Sequence, residues 1–354
     1  MARTIKLTSG SIFNGNPITF TIQPTIILGT DDDGNTVYPS FHRVIIEVKC
    51  GLSGGNYETI KMSQPVTEEV DTATVQIDIA SALRTLRDAY TYTAEAVTYP
   101  FVSYQVTAYD EYMLNGEVKQ VGYVYSPSED TYYRSIFGGF SDFDRLTSAA
   151  TKSVTALSRK PTSVPHLAFV GESFAYTPPY STAQELANSS SLEPPISKVV
   201  TVSKEGSQTL GYQSIYALPS SEASHRQVFR FINSFGVLES VSVPKAYTKS
   251  LSVTSTAYAV ALQETFNTFS RSAVKKQGNQ ETWTFQTDPL NEDWLHWYLH
   301  EFLMSDHIWL QVKDVWLPCT ITIDDDITFL DRTSDSMYSL TFAATLDING
   351  SPLL

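Results

Sequence analysis

Three histidines near the C-terminus have the spacing that most resembles a site for chemistry. His296 and His300 lie four residues apart in a predicted helix, so both side chains face one way, and Glu301 and His307 follow closely. This pattern raises the hypothesis of a zinc-dependent hydrolase. The H-E-x-x-H signature needs a glutamate directly after the first histidine, but Trp297 stands there. The pattern therefore favours two histidines on the wetter face of an amphipathic helix, and we predict no metal site.

Two acidic triplets, Asp31–Asp33 and Asp324–Asp326, invite comparison with calcium loops. An EF-hand loop places oxygen ligands at alternate positions and closes with a bidentate glutamate. No glutamate occupies the closing position after the first triplet, and the second triplet lies between the apparent strand residues Ile323 and Ile327. Both triplets are therefore predicted to be exposed acidic loops.

Other catalytic signatures are absent from the sequence. It contains no G-x-S-x-G nucleophile elbow, no Walker loop and no G-x-G-x-x-G fingerprint. The tripeptide Gly171-Glu172-Ser173 lacks the second glycine of a nucleophile elbow, because residue 175 is Ala175. We therefore predict no catalytic residues, no cofactor and no enzymatic activity.

Composition limits the partners of the chain. Its 354 residues carry 24 Lys and Arg against 38 Asp and Glu, which gives a net charge of -14. Such a balance argues against specific nucleic-acid binding and against attachment to an anionic membrane. The sequence has no apolar run long enough for membrane insertion, and its first residues lack the apolar core of a signal peptide, so we predict neither a membrane span nor a signal peptide. Cys50 and Cys319 are predicted to be two buried thiols.

All five tryptophans lie between residues 280 and 318. Trp283 and Phe285 indicate a half-buried strand, and a Trp-rich amphipathic helix is predicted over 289–304 with Asp288 as its N-cap. The large aromatic area of this helix must be covered by its own domain or by a neighbouring copy. The candidate subunit interface comprises Trp294, Trp297 and Tyr298 of the helix, with Phe137 and Phe140 of an upstream aromatic tract.

The remaining sequence predicts a mainly β protein. Short segments of period-two alternation, separated by turn residues, suggest antiparallel β-sandwich-like domains. We predict an N-terminal domain over 1–127, an extended, proline-punctuated connecting arm over 128–195, and a C-terminal β domain over 196–354.

Several tracts resemble virion proteins of tailed bacteriophages. They are G-N-P-I-T-F, Y-Y-R-S-I-F-G-G-F, F-R-F-I-N-S-F-G and the Trp-rich W-T-F-Q-T-D-P-L-N-E-D-W-L-H-W-Y-L-H-E-F-L-M-S. The likeness is to tail-tip and baseplate components of phages that infect gut Bacteroidota. It implies a structural subunit, made in the bacterial cytoplasm and located in the virion, that forms a ring with copies of itself and contacts neighbouring virion proteins.

Two other functions are compatible with the residues. A carbohydrate- or receptor-binding β protein would use exposed tyrosines, and a metal-dependent hydrolase would use the three histidines.

The excess negative charge of the chain suits a ring whose channel lets DNA slide through without adsorbing. If the charge of Asp324–Asp326 were reversed and genome delivery were unaffected, that result would count against this hypothesis.

Overall fold

The structure is a computed structural model of the chain, and it is mainly β with antiparallel sheets and one short helix near the C-terminus. The residues that it describes are 5–10, 13–30, 33–51, 57–67, 70, 73–85, 93–95, 101–114, 116–126, 132–136, 138–139, 158–176, 197–210, 213–260, 271–323 and 337–346.

The chain divides into two compact units, each built from more than one stretch of sequence. The predicted connecting arm over 128–195 is not a separate body in this division, because its residues are shared between the two units. Unit 1 comprises Met1–Leu157, Pro179–Ile196 and Ser234–Val237, and unit 2 comprises Ser158–Pro178, Ser197–Asn233 and Leu238–Leu354.

Unit 1 contains two antiparallel sheets. One sheet has the order β1-β2-β7, and the other has the order β10-β8-β5-β6 with β9 also paired to β8. A two-stranded pair, β3 and β4, and a short helix, α1, complete the unit. The strands are β1 Ile5–Gly10, β2 Ile18–Ile22, β3 Gly29–Thr30, β4 Thr36–Val37, β5 Phe41–Gly51, β6 Tyr57–Pro65, β7 Val75–Asp78, β8 Phe101–Leu114, β9 Glu117–Ser126 and β10 Tyr133–Ile136, and α1 is Ala80–Thr85.

The inner faces of these two sheets share one core. Alternate residues of β2 are buried, as the period-two pattern predicts, and alternating positions of β5 face the same interior. This arrangement is a two-layer sandwich. The core side chains include Ile18, Phe20 and Ile22 of the smaller sheet and Val44, Ile46, Val48, Val102, Tyr104 and Val106 of the larger one.

Unit 2 is built on a seven-stranded antiparallel sheet of order β17-β16-β20-β21-β22-β19-β18. Two smaller sheets, β11-β15-β14 and β12-β13, accompany it, and β11 pairs parallel to β15. The strands are β11 His166–Phe169, β12 Ser173–Tyr176, β13 Lys198–Thr201, β14 Gly206–Leu210, β15 Gln213–Leu218, β16 Arg226–Ile232, β17 Leu238–Pro244, β18 Thr248–Val260, β19 Arg271–Gln286, β20 Ile308–Val312, β21 Val315–Thr322 and β22 Thr341–Leu346.

The helix of unit 2 begins later than predicted. Helix α2 spans Glu292–Trp297 and continues as a π-helical turn over Tyr298–Phe302. The side chain of Asn291 caps it by accepting a hydrogen bond from the Trp294 amide at 3.0 Å. Leu290 is held outside the helix, because its backbone exchanges hydrogen bonds with that of Tyr338. The prediction of Asp288 as the N-cap was therefore wrong.

This helix covers one face of the seven-stranded sheet. The ring of Phe302 contacts Phe229 and Phe231 of β16 and Phe342 of β22, with centroid distances of 5.4, 5.3 and 5.6 Å. Edge-to-face pairs of this kind add to the stabilisation from apolar burial. The main core of unit 2 therefore lies between a sheet and a helix.

Two further predictions concern single features of the chain. Cys50 and Cys319 are both buried and form no disulfide, which confirms the interpretation from the sequence. Within the described ranges, no helix combines the length and the apolar character that crossing a bilayer requires.

Candidate functional site

The three aromatic residues predicted to form a subunit interface are buried inside unit 2. Trp294, Trp297 and Tyr298 all belong to the core that the helix forms with the sheet. Their aromatic area is almost entirely covered by their own unit, which leaves too little surface for a contact with a neighbouring copy. The prediction of a subunit contact through these three side chains is corrected accordingly. Phe137 and Phe140 lie outside the described residues.

The histidines near the C-terminus do not converge on one point. The rings of His296 and His300 stack at 5.8 Å on the wetter face of the helix. Glu301 turns inward instead, where its carboxylate forms an ion pair with Arg159 Nε at 3.3 Å. His307 stacks beside Trp309. Across the described ranges, no group of three or more His, Cys, Asp or Glu side chains is placed to hold a metal ion.

Only one residue of the two acidic triplets is described. Asp33 is exposed between β3 and β4, as predicted for an acidic loop. Asp31, Asp32 and the triplet Asp324–Asp326 lie outside the described residues.

Three of the tracts that resemble phage proteins meet within unit 1. The Gly139 amide donates to the Ser234 carbonyl at 2.9 Å, and the Gly15 amide donates to the Gly138 carbonyl at 2.6 Å. Gly138 has a φ of +119°, and a Cβ on it would overlap the backbone of Ser234 and Phe235. Glycine is therefore required here for both conformation and space.

A pocket of about 230 Å³ opens in unit 2, and no sequence motif pointed to it. Its mouth is formed by the exposed residues Val164, Tyr216 and Pro289. Its floor is formed by buried side chains, among them His166 and Trp294, whose ring centroids are 5.2 Å apart. The pocket therefore combines access to solvent with an apolar, aromatic interior. The complete lining is Val164, Pro165, His166, Leu167, Tyr216, Ser242, Asp288, Pro289, Leu290, Trp294 and Tyr298.

The polar wall of the pocket is rigidly supported. Arg226 donates from Nη2 to the Asp288 carboxylate at 2.7 Å and to the Ser242 carbonyl at 2.7 Å. Its Nε donates to the Ser242 hydroxyl at 2.9 Å. Because Arg226 is itself buried, the Asp288 carboxylate is fixed in orientation by a charge-assisted pair.

His166 of the pocket floor also belongs to what we call the buried charge cluster, which comprises Lys160, His166, Glu172 and Glu239. The ammonium of Lys160 donates to the Ser240 carbonyl at 2.7 Å and lies 4.0 Å from Glu239 Oε2. Glu172 Oε2 accepts from the Phe169 amide at 3.2 Å. His166 Nε2, Glu172 Oε1 and Glu239 Oε2 are buried with no hydrogen-bond partner among the described residues.

Burial shifts the protonation of this cluster toward neutral forms. It raises the pKa of Glu172 to about 7 and lowers the pKa of Lys160 to about 8, although Glu239 and Glu172 raise the latter. Burial, followed by the charges of Lys160 and Arg226, holds the pKa of His166 well below its usual value. Shifted pKa values in one place are typical of functional sites as well as of structural ion networks.

The other candidate site is an open sheet edge. Strands β18 and β19, which we call the ribbon, pair from Thr248 with Thr284 to Val260 with Arg271. Strand β22 accompanies β19 only from Glu281 to Gln286. Among the described residues, no strand pairs with the edge of β18 that faces away from β19. Residues 271–280 of β19 pair with β18 alone, so their other edge is open as well.

Comparisons with known proteins do not assign a function to either site. No protein-family model, curated protein or solved structure matches the chain.

Neither site was identified from the sequence. The pocket and the buried charge cluster draw residues from β11, the turn after it, β16, β17 and the helix, so they exist only after folding. The Thr- and Ser-rich alternation of the ribbon indicates strands in the sequence. Alternation alone does not reveal which of those strands lies at an open edge of the sheet.

Proposed function

We propose that this chain is a non-catalytic structural subunit of a tailed-phage virion, assembling with copies of itself into a ring in the tail or baseplate. The resemblance of several tracts to phage tail-tip and baseplate proteins supports this proposal. The observation that supports assembly is the open ribbon of unit 2. The aromatic helix does not serve as the contact surface, because it is covered within its own unit.

The ribbon has the physical properties of a pairing surface. An isolated two-stranded hairpin is at best marginally stable in water, and an unpaired edge is a template for another strand. At the edge of β18, the side chain of Leu251 is 61% exposed, and Tyr247 just before the strand is exposed as well. A strand from a neighbouring copy would pair with the open backbone groups of β18 and contact these apolar side chains.

The two open edges of the ribbon differ, and that difference favours a ring. Pairing the outer edge of β18 in one copy with the 271–280 edge of β19 in the next copy is a head-to-tail contact. Contacts between two different surfaces close into rings when the rotation permits, whereas self-complementary contacts give two-fold dimers.

The charge of the chain is compatible with a ring around a DNA path. With a net charge of -14, the subunit repels phosphate on balance, because like charges disfavour adsorption. Passage of DNA without binding is the expected consequence.

The experiment is a comparison of two charge insertions. Leu251→Lys places a charge on the proposed edge and is expected to reduce the assembled fraction at a given concentration by about tenfold or more. Val315→Lys is the matched control, because Val315 is 57% exposed on a different hairpin of the same unit. The solution mass of each variant is measured by light scattering.

Equal assembly of the two variants would exclude the ribbon as the contact. A wild-type chain that stays monomeric would instead favour the carbohydrate- or receptor-binding alternative, to be followed by glycan arrays.

A further inference from the structure

We propose that the pocket of unit 2 binds a small aromatic ring that carries one hydroxyl or N–H donor, of the phenol or indole class. This site is separate from the ribbon and does not depend on the assembly proposal.

The size of the pocket sets the size of the ligand. A closed apolar cavity of about 150 Å³ holds a benzene molecule, and this pocket offers about 230 Å³. It therefore has room for one ring with a substituent or for two fused rings. The exposed mouth residues Val164, Tyr216 and Pro289 allow such a molecule to enter from solvent.

The walls determine the character of the ring. Trp294, Leu290 and Pro165 present aromatic and aliphatic surface, which favours an apolar ring face through area burial and aromatic contacts. A pyranose has hydroxyls around its whole rim, and several of them would face Leu290 and Pro289 without hydrogen bonds. Such unpaired polar groups are costly to bury, so an aromatic ring fits better than a sugar.

The polar wall determines the substituent. The Asp288 carboxylate receives hydrogen bonds from Arg226 at 2.7 and 3.4 Å, and a carboxylate has about four acceptor positions. Lone pairs therefore remain for a ligand donor, and the fixed orientation of the carboxylate lowers the cost of binding. The same negative charge disfavours a ligand that carries its own carboxylate.

One floor residue adds a polar group to this wall. Tyr298 brings a hydroxyl group to the lining, and burial, followed by the charge of Asp288, raises its pKa, so the hydroxyl keeps its proton. His166 contributes its buried ring to the lining. The Asp288 carboxylate and the Tyr298 hydroxyl are thus the two polar groups that we expect to hydrogen-bond with a bound hydroxyl or N–H group.

The test uses the full chain and two probes, indole and phenol, with benzoate and methyl glucoside for comparison. Binding is measured by ligand-observed NMR and by calorimetry. We expect indole and phenol to bind at roughly millimolar concentration or below, and benzoate and methyl glucoside to bind more weakly.

Three variants, one of them a control, locate the binding. Val164→Trp blocks the mouth and is expected to weaken indole binding by about tenfold, whereas Val199→Trp is its matched control. The two valines are 40% and 41% exposed in the same unit, and Val199 does not line the pocket. Tyr298→Phe preserves the ring and is expected to weaken phenol binding by about fivefold through loss of one hydrogen-bonding group.

Three results would overturn the proposal. They are the absence of indole and phenol binding to the wild-type chain at millimolar concentration, equal effects of the two tryptophan variants, and preference for methyl glucoside over indole. Assembly through the ribbon is measured separately, so failure of either proposal leaves the other intact.

Discussion

Single residues in the interior of unit 2 carry an electrostatic cost that varies with pH. Glu172 is buried and has one carboxylate oxygen without a partner among the described residues. Burial raises its pKa to about 7, against 4.5 when the side chain is fully solvated. As the pH rises from 4.5 to 7, the unfolded chain therefore loses this proton before the folded chain does. The contribution of Glu172 to stability is fully present below pH 4.5 and is lost as the pH rises through 7.

The substitution Glu172→Gln removes this titration and tests its direction. We expect the free energy of unfolding of the variant, relative to wild type, to increase by about 3 kcal/mol between pH 4.5 and pH 8. Urea denaturation at a series of pH values measures this difference.

The control for this experiment is Glu205→Gln, which changes an exposed glutamate of the same unit. Its curve should run parallel to that of wild type over the same range. If the Glu172→Gln curve is also parallel, Glu172 does not titrate in the folded chain as described.

For single residues, the sequence predicted the chemical character of each side chain but not whether it lies in a core, at an interface or in a site. Trp294, Trp297 and Tyr298 were correctly recognised as aromatic surface in need of cover, and the cover proved to be the sheet of their own unit. Nothing local distinguishes a core aromatic residue from an interface one, because both are apolar. The functional interest of Lys160 and Glu172 depends on burial, which arises from tertiary packing.

Individual elements were predicted with more success, and their ends with less. The hairpin of β8 and β9 and the hairpin of β16 and β17 join alternating segments across turn residues, which is the pattern from which the antiparallel strands were predicted. The start of the helix was misplaced because Asp288 has the chemistry of a cap. That carboxylate pairs with Arg226, a residue 62 positions away. A long-range ion pair of this kind leaves no local signature.

The identity of the helix cap gives a direct prediction. Asn291→Ala is expected to destabilise unit 2 by about 1 kcal/mol, because the Trp294 amide loses its acceptor. Asn291→Ser retains a capping oxygen and should stay within a few tenths of a kcal/mol of wild type, by roughly the same rule. Denaturant midpoints compare the two variants, and a neutral Asn291→Ala would contradict this cap.

The glycine contact in unit 1 gives a second prediction for an element. Gly138→Ala is expected to destabilise unit 1 by at least about 2 kcal/mol more than Gly34→Ala. Both glycines have positive φ values, +119° and +82°, but only Gly138 has backbone atoms where a Cβ would stand. Equal melting temperatures of the two variants would show that the close contact between Gly138 and Ser234 does not contribute to the stability of unit 1.

For the molecule as a whole, the sequence predicted the fold class but not the division into units. A mainly β chain with antiparallel sheets and a helix near the C-terminus follows from alternation and turn spacing. The division was harder because each unit gathers separate stretches: residues 158–178 belong with the C-terminal half, and residues 234–237 belong with the N-terminal half. Prolines made the middle of the chain resemble an extended arm, although His166–Phe169 and Ser173–Tyr176 form strands there.

The measurement that tests the central claim most directly is the solution mass of the purified wild-type chain. Light scattering across a range of concentrations, with negative-stain images of the same peak, determines whether copies assemble. The proposal predicts a discrete multiple of 39.4 kDa and images of closed rings. A single chain of 39.4 kDa at every concentration, with no ring in the images, would contradict it.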